Sequence, residues 1–169
     1  AVFGRNFPSY ARENIAAMFS KFSDMDVSVW VYEPLFEFLQ NKTGLRPAVA
    51  GLFTDHKSLP PDIDFLFSLG GDGTFLETVT LVRDTGIPVL GVTISKLGFL
   101  SYVSQKNMSE SLESVFSGKF DIEERMLLQV EAPESTLGDL DVALNEVRIY
   151  KSRGSLITIH VKANEEFLS

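Results

Sequence analysis

Cysteine is absent from all 169 residues, which rules out disulfides and thiolate metal sites and favours a cytoplasmic address. The only histidines, His56 and His160, fall in no metal-ligand spacing. Cationic side chains are in deficit, 15 Lys and Arg against 23 Asp and Glu, giving a net charge of −8 and a pI near 4.7. That balance argues against a nucleic-acid partner, whose affinity rests on clustered Lys and Arg. It leaves phosphorylated small molecules open, because helix N-termini and a divalent cation can hold them in an acidic field. No apolar run is long enough to span a bilayer and no signal peptide is visible, so no membrane partner is expected. Several catalytic signatures are missing too. There is no Walker A lysine motif, no G-x-S-x-G elbow and no zinc motif. The G-x-G-x-x-G fingerprint is incomplete, since Leu76 stands where a third glycine would follow Gly71 and Gly73.

What is present describes an ordinary globular protein, with 44% hydrophobic and 22% charged residues. The length suffices for one core, or for one domain and part of another. Both ends read as cut: Ala1–Gly4 looks like part of a strand, and the chain stops just after an Asn164-Glu165 hairpin turn.

The first hundred residues alternate strand and helix. Ser9 is a candidate N-cap for a helix whose apolar face carries Ile15, Met18, Phe19 and Phe22. Val27, Val29 and Val31 alternate with polar and aromatic residues as in a strand. Pro34 suits a first helical turn and Gly44 a helix end. Strands are expected over 48–53, 63–67 and 87–94, with a helix over 74–84 stopped by Gly86. This order predicts a parallel sheet covered by helices, with ligands beyond the carboxyl ends of the strands. Asn107 and Glu110 resemble a capping box ahead of Leu112, Val115 and Phe116. From residue 119 the texture becomes strand-like over 123–132, 142–150 and 155–163. The expected fold is therefore an α/β domain with a parallel sheet (1–118), followed by the start of an all-β domain (119–169).

Three segments are candidates for chemistry. In Gly70-Gly71-Asp72-Gly73-Thr74 a buried strand empties into glycines and one carboxylate, and a helix follows. Such a bend lets a phosphate or sugar approach the main chain, with the helix N-terminus facing it; it is also good turn chemistry. In Gly91–Leu100 a strand ends in small polar residues and a lysine, and Gly98 allows a tight approach beside Phe99; Lys96 could meet a phosphate and Phe99 a base or ribose, or they are a solvated lysine and a core ring. Asn145-Glu146 interrupts an apolar strand. The pair could grip ribose hydroxyls, or mark an edge strand with one wet face. Arg148, Lys151 and Arg153 form a small basic group nearby, the usual mark of a solvated face.

Together these motifs resemble the NAD kinases over essentially the whole chain. Gly70–Leu76 matches their GGDG motif, Pro88–Leu100 their next strand and loop, and Leu144-Asn145-Glu146 their NE/D motif. The first motif is shared with diacylglycerol and sphingosine kinases; the three in this order are more specific. The resemblance implies transfer of the γ-phosphoryl of ATP, or of polyphosphate, to the adenosine-ribose 2′-hydroxyl of NAD, with a divalent cation, Mg²⁺, on the phosphates. It assigns Asp72 as proton acceptor or orienting group and Gly71, Gly73 and Thr74 as the phosphate cradle. Asn145 and Glu146 would hold a ribose, Leu76 and Phe99 would line the dinucleotide pocket, and Lys96 would be the family's basic residue. A homodimer or homotetramer is implied as well. Thr93 and Ser95 depart from the family's Asn and Gly, and its later motifs lie beyond Ser169. A soluble lipid kinase and a non-catalytic nucleotide-binding module are the alternatives.

Overall fold

A computed structural model describes residues 1–94, 98, 100, 103–104, 107–131, 141–150, 154, 156 and 158–168. A six-stranded parallel sheet forms the body. Its strands are β1 (Val2–Gly4), β2 (Trp30–Tyr32), β3 (Gly51–Phe53), β4 (Leu66–Gly70), β5 (Val89–Thr93) and β6 (Val103–Ser104). Their spatial order is β3-β2-β1-β4-β5-β6, and every neighbouring pair is parallel. Strand order reverses between β1 and β4, so the carboxyl ends of these two strands, at Gly4 and Gly70, flank the crevice where such sheets receive ligands.

The period-two alternation along the strands sends side chains into two cores. Val2, Val31, Phe67, Leu69 and Val92 meet α1 (Arg12–Asp24), α2 (Glu33–Phe38) and α4 (Met108–Phe116) on one face. Phe3, Phe53 and Leu66 meet Leu81 and Val82 of α3 (Asp72–Val82) on the other. The expected apolar face of α1 is buried through Ile15, Met18, Phe19 and Phe22.

The seat of α3 is set by small residues. Ser68 and Gly70 lie two apart on β4, and Thr74 and Thr78 lie one turn apart on α3, so the pairs face each other. A Cβ at Gly70 would stand 2.2 Å from Thr74 Oγ1, so only glycine admits the helix at this distance. The fully buried Thr78 hydroxyl lies 2.8 Å from Ser68 Oγ and 2.8 Å from the Thr74 carbonyl. The carbonyl can only accept, so one hydroxyl proton and one lone pair of Thr78 serve both contacts.

Several sequence expectations shift. The strand expected over 63–67 lies at 66–70, because its ladder with β5 continues to Gly70↔Thr93. Ser9 is no cap: the chain enters α1 through a tight turn over Ser9–Ala11, and no side-chain bond closes either end of that turn. The Asn107-Glu110 capping box does not form, since Asn107 (φ −101°, ψ 5°) is not in the extended conformation that aims a cap side chain at the helix. Strand β6 was not expected at all. Among the described residues beyond 119 the expected long strands, of which residues 132, 155 and 157 lie outside the described ones, reduce to two short antiparallel pairs: β7 (Leu128–Gln129) with β8 (Val142–Ala143), and β9 (Lys162–Ala163) with β10 (Glu166–Phe167). Alternation marks a residue that fits a pleated surface, but a strand exists only where a partner supplies the ladder. The turn between β9 and β10 is as expected, with Asn164 and Glu165 both at positive φ.

Thr78→Val leaves the Ser68 hydroxyl buried without its partner and is expected to destabilise the protein by about 1–3 kcal/mol. The double variant Ser68→Ala/Thr78→Val should recover part of that loss in urea unfolding. Strict additivity of the two single costs would mean the hydroxyl pair is not coupled.

Candidate functional site

The glycine run is divided between three elements. Gly70 still belongs to β4, Gly71 alone makes the bend (φ −106°, ψ −167°), and Asp72 is already the first residue of α3. The first helical bond runs from Phe75 N–H to the Gly71 carbonyl, 3.0 Å. The N–H groups of Asp72, Gly73 and Thr74 therefore lie outside the helical ladder, as in any first turn. They concentrate the positive end of the helix dipole at the sheet's switch point. A Cβ at Gly71 or at Gly73 would meet no atom within 4 Å, so the approach to this turn is open.

The Asp72 carboxylate is not left to swing. Leu100 N–H donates to Asp72 Oδ1 at 3.0 Å. Gly98 lies directly against the same group: a Cβ there would fall 2.1 Å from Oδ1 and 2.6 Å from Cγ. The chain following β5 thus comes back to hold the carboxylate through a backbone donor and a missing side chain. Neither residue was singled out for this role from sequence. The signal was the absence of a side chain at Gly98, which identifies a close approach but not the group that approaches.

The other expected residues are placed as follows. Thr74 turns its side chain onto Gly70, which leaves its N–H for a ligand. Leu76 is half-buried on α3. Lys96 and Phe99 lie outside the described residues. Asn145 and Glu146 are exposed and follow β8, the strand that packs against α3. Glu146 Oε1 accepts from Arg148 Nη2 at 2.5 Å, so the carboxylate carries its own counter-ion. That contact holds Arg148 protonated more firmly than usual. The structure thus joins Asp72 to Gly98 and Leu100 directly, and brings the strand leading to Asn145 onto the same helix.

Beside the bend is a cleft of about 170 Å³ at the carboxyl ends of β1, β2 and β3, lined by Arg5, Tyr32, Thr54, His56, Glu77 and Thr80. Arg5 follows β1 directly. Its Nε donates to Glu77 Oε2 of α3 at 3.0 Å, and its guanidinium stands 5.4 Å from the centre of the Tyr32 ring. Hydrogen bonding to Glu77 raises the Arg5 pKa above its ordinary value, so the cation persists at any physiological pH. The loop after β3 is braced locally: Asp55 accepts from Ser58 Oγ at 2.8 Å and from the N–H groups of Lys57 and Ser58, which holds its pKa below the usual carboxylate range.

Among the described residues no group of three His, Asp or Glu could hold a metal ion. A hard cation that keeps water and phosphate ligands needs only one or two carboxylate oxygens, and Asp72 offers such an oxygen at the bend. Among those residues, likewise, no helix is long and apolar enough to cross a membrane.

The matches to known proteins agree with this geometry. Residues 13–120 fit the family model described as the ATP-NAD kinase N-terminal domain. The chain is similar to the NAD kinase of Flavobacterium psychrophilum, 34% identical over all of this chain and 58% of the relative. It is also similar to that of Porphyromonas gingivalis, 34% identical over all of this chain and 57% of the relative. The chain therefore spans a little over half the length of the curated relatives it matches. A crystal structure of yeast NADH kinase complexed with NADH shares the fold, with a TM-score of 0.58 over 76% of this chain and 41% of the other, at 22% identity. With the GGDG bend at the switch point, the Asn145-Glu146 pair beyond it and matches extending over its full length, the chain belongs to the NAD kinase family.

Proposed function

We propose that the intact protein is an NAD kinase, transferring the γ-phosphoryl of ATP, or a phosphoryl of polyphosphate, to the 2′-hydroxyl of the adenosine ribose of NAD. The observation that carries the reading is the Asp72 carboxylate, fixed by Leu100 N–H and Gly98 at the open N-terminus of α3. The relatives it matches are NAD kinases, which favours this reading over the lipid-kinase alternative.

Phosphoryl transfer asks little covalent work of a protein; positioning and charge neutralisation dominate. A carboxylate oxygen carries more than one lone pair, so Asp72 can accept from the ribose hydroxyl while Leu100 holds its plane. The hydroxyl oxygen bonds to phosphorus, the bond to the bridging oxygen of ADP breaks, and the proton passes to Asp72. The N–H groups of Gly73 and Thr74 face the phosphates at the helix N-terminus. Arg5 places a permanent cation in the adjoining cleft, where it would meet the donor's phosphates. A divalent cation bound to those phosphates would neutralise charge as the bond breaks, with Asp72 as its protein oxygen.

In this reading Asn145 and Glu146 hold a ribose of NAD, Leu76 and Phe99 line its pocket, and Lys96 meets phosphate. Residues 1–118 form the nucleotide-binding domain and 119–169 begin the β-rich one. The intact enzyme is cytoplasmic and assembles as a homodimer or homotetramer.

The intact protein, screened against NAD and NADH with ATP or polyphosphate, is expected to form NADP(H) by an enzymatic cycling assay. Asp72→Asn should lower turnover at least about a hundredfold with little change in NAD affinity. Near-normal turnover in that variant removes Asp72 from the mechanism. Gly98→Ala must displace the carboxylate, and is expected to lower kcat about tenfold or more while urea unfolding stays close to wild type. Equal kcat values for Gly98→Ala and wild type would show that the contact does not orient Asp72. Asn145→Ala should weaken NAD binding about tenfold in calorimetry, from the loss of ribose hydrogen bonds. Unchanged affinity would return Asn145 to the role of an exposed strand residue.

A further inference from the structure

Helix α3 is pinned at both ends, and only the first pin belongs to the bend. At its far end the chain passes through Arg83 at φ +48°, ψ −123°. That conformation suits glycine and is uncommon for any other residue. The residue is arginine, and its side chain makes two contacts. The guanidinium forms a partly buried ion pair with Asp141, and Arg83 Nη1 lies 3.5 Å from His56 Nε2.

Asp141 is the residue directly before β8, and its carbonyl accepts from the N–H of Val130, the residue directly after β7, at 2.7 Å. Strand β8 packs against α3 and takes no part in the six-stranded sheet. The ion pair therefore fixes where this strand starts on the helix. Asn145 follows Asp141 by four residues, with β8 over Val142–Ala143 and bends at Leu144 and Asn145, so it lies at most about 13 Å from the anchor. Helix α3 is 11 residues long, about 16 Å. Anchoring the start of β8 at Arg83 therefore sets where the chain leading to Asn145 leaves α3, the helix whose other end carries Asp72.

We propose that Arg83 and Asp141 are positioning residues: their ion pair sets the distance between the Asn145-Glu146 ribose grip and the Asp72 proton acceptor. The inference rests on the NAD kinase reading and on Asn145 touching the dinucleotide. Neither charge reaches substrate; both act by holding the strand that does. The strained backbone at Arg83 fits this role, since the guanidinium is what a strain-free glycine could not supply.

The test uses Arg83→Gly, which relieves the backbone while removing the pair, and Asp141→Asn, which keeps shape and removes charge. Both are made in the intact protein. Each is expected to raise the KM for NAD about five- to tenfold, with the KM for the phosphate donor and kcat within about twofold. Arg83→Gly should unfold in urea at or above the wild-type midpoint. The double variant should be no worse than either single one, because the two residues act as one unit. An active wild type whose two variants keep the wild-type KM for NAD overturns the clamp alone. So does a joint loss of stability, kcat and donor affinity in both variants, which is what a pair that merely holds the fold would give. A wild-type protein that forms no NADP with any donor removes the kinase reading, and the clamp with it.

Discussion

Everything at the site depends on how closely α3 lies on β4. With no side chain at Gly70 and a hydroxyl at Ser68, the helix settles onto the strand through Thr74 and Thr78. Larger residues at these two positions would push the helix outward and carry Asp72 off the rim. The polar contact beneath is the more telling choice. A buried hydroxyl pair is neutral to modest in net stability, yet costly when one partner is missing. It specifies one seat for the helix, where an apolar contact would tolerate several.

The electrostatics of the chain look unsuited to phosphorylated ligands, and the proposed function answers this locally. A net charge of −8 is spread over the whole surface, where solvent screens it within a few ångströms to a nanometre. The first turn of α3 and the Arg5 guanidinium act at contact distance. Arg5 is itself steadied by Glu77 and by the Tyr32 ring, so it keeps both its charge and its place.

Much of this was legible in the residues, and the exceptions have physical causes. The parallel α/β order followed from apolar runs alternating with helical spacing, and the buried face of α1 was read residue by residue. Asp72 stood out because it is the one charge in a glycine bend. Its neighbours Gly98 and Leu100 did not, because a backbone donor has no side chain to announce it and the contact spans 28 residues of chain. Strand β6 was missed since Val103-Ser104 is too short for any period to register. The capping expectations at Ser9 and Asn107 failed because residue type permits a cap, but only backbone conformation makes one. The strands past residue 119 were overextended for a related reason: their alternation is real, but the ladders that would convert it cover two pairs each.

One of the two central strands of the sheet, β1, precedes both of its partners in the sequence. Val2 pairs on one side with Val31 and on the other with Phe67. During synthesis β1 therefore has one neighbour at Val31 and waits some 36 residues more before the other arrives at Phe67. Closing so long a loop is slow, and until it closes an apolar strand edge stays open to misassociation. The strand that completes the pairing is β4, whose last residue begins the glycine bend. Closing the centre of the sheet and setting the glycine bend thus fall to the same strand, so a lesion there bears on both.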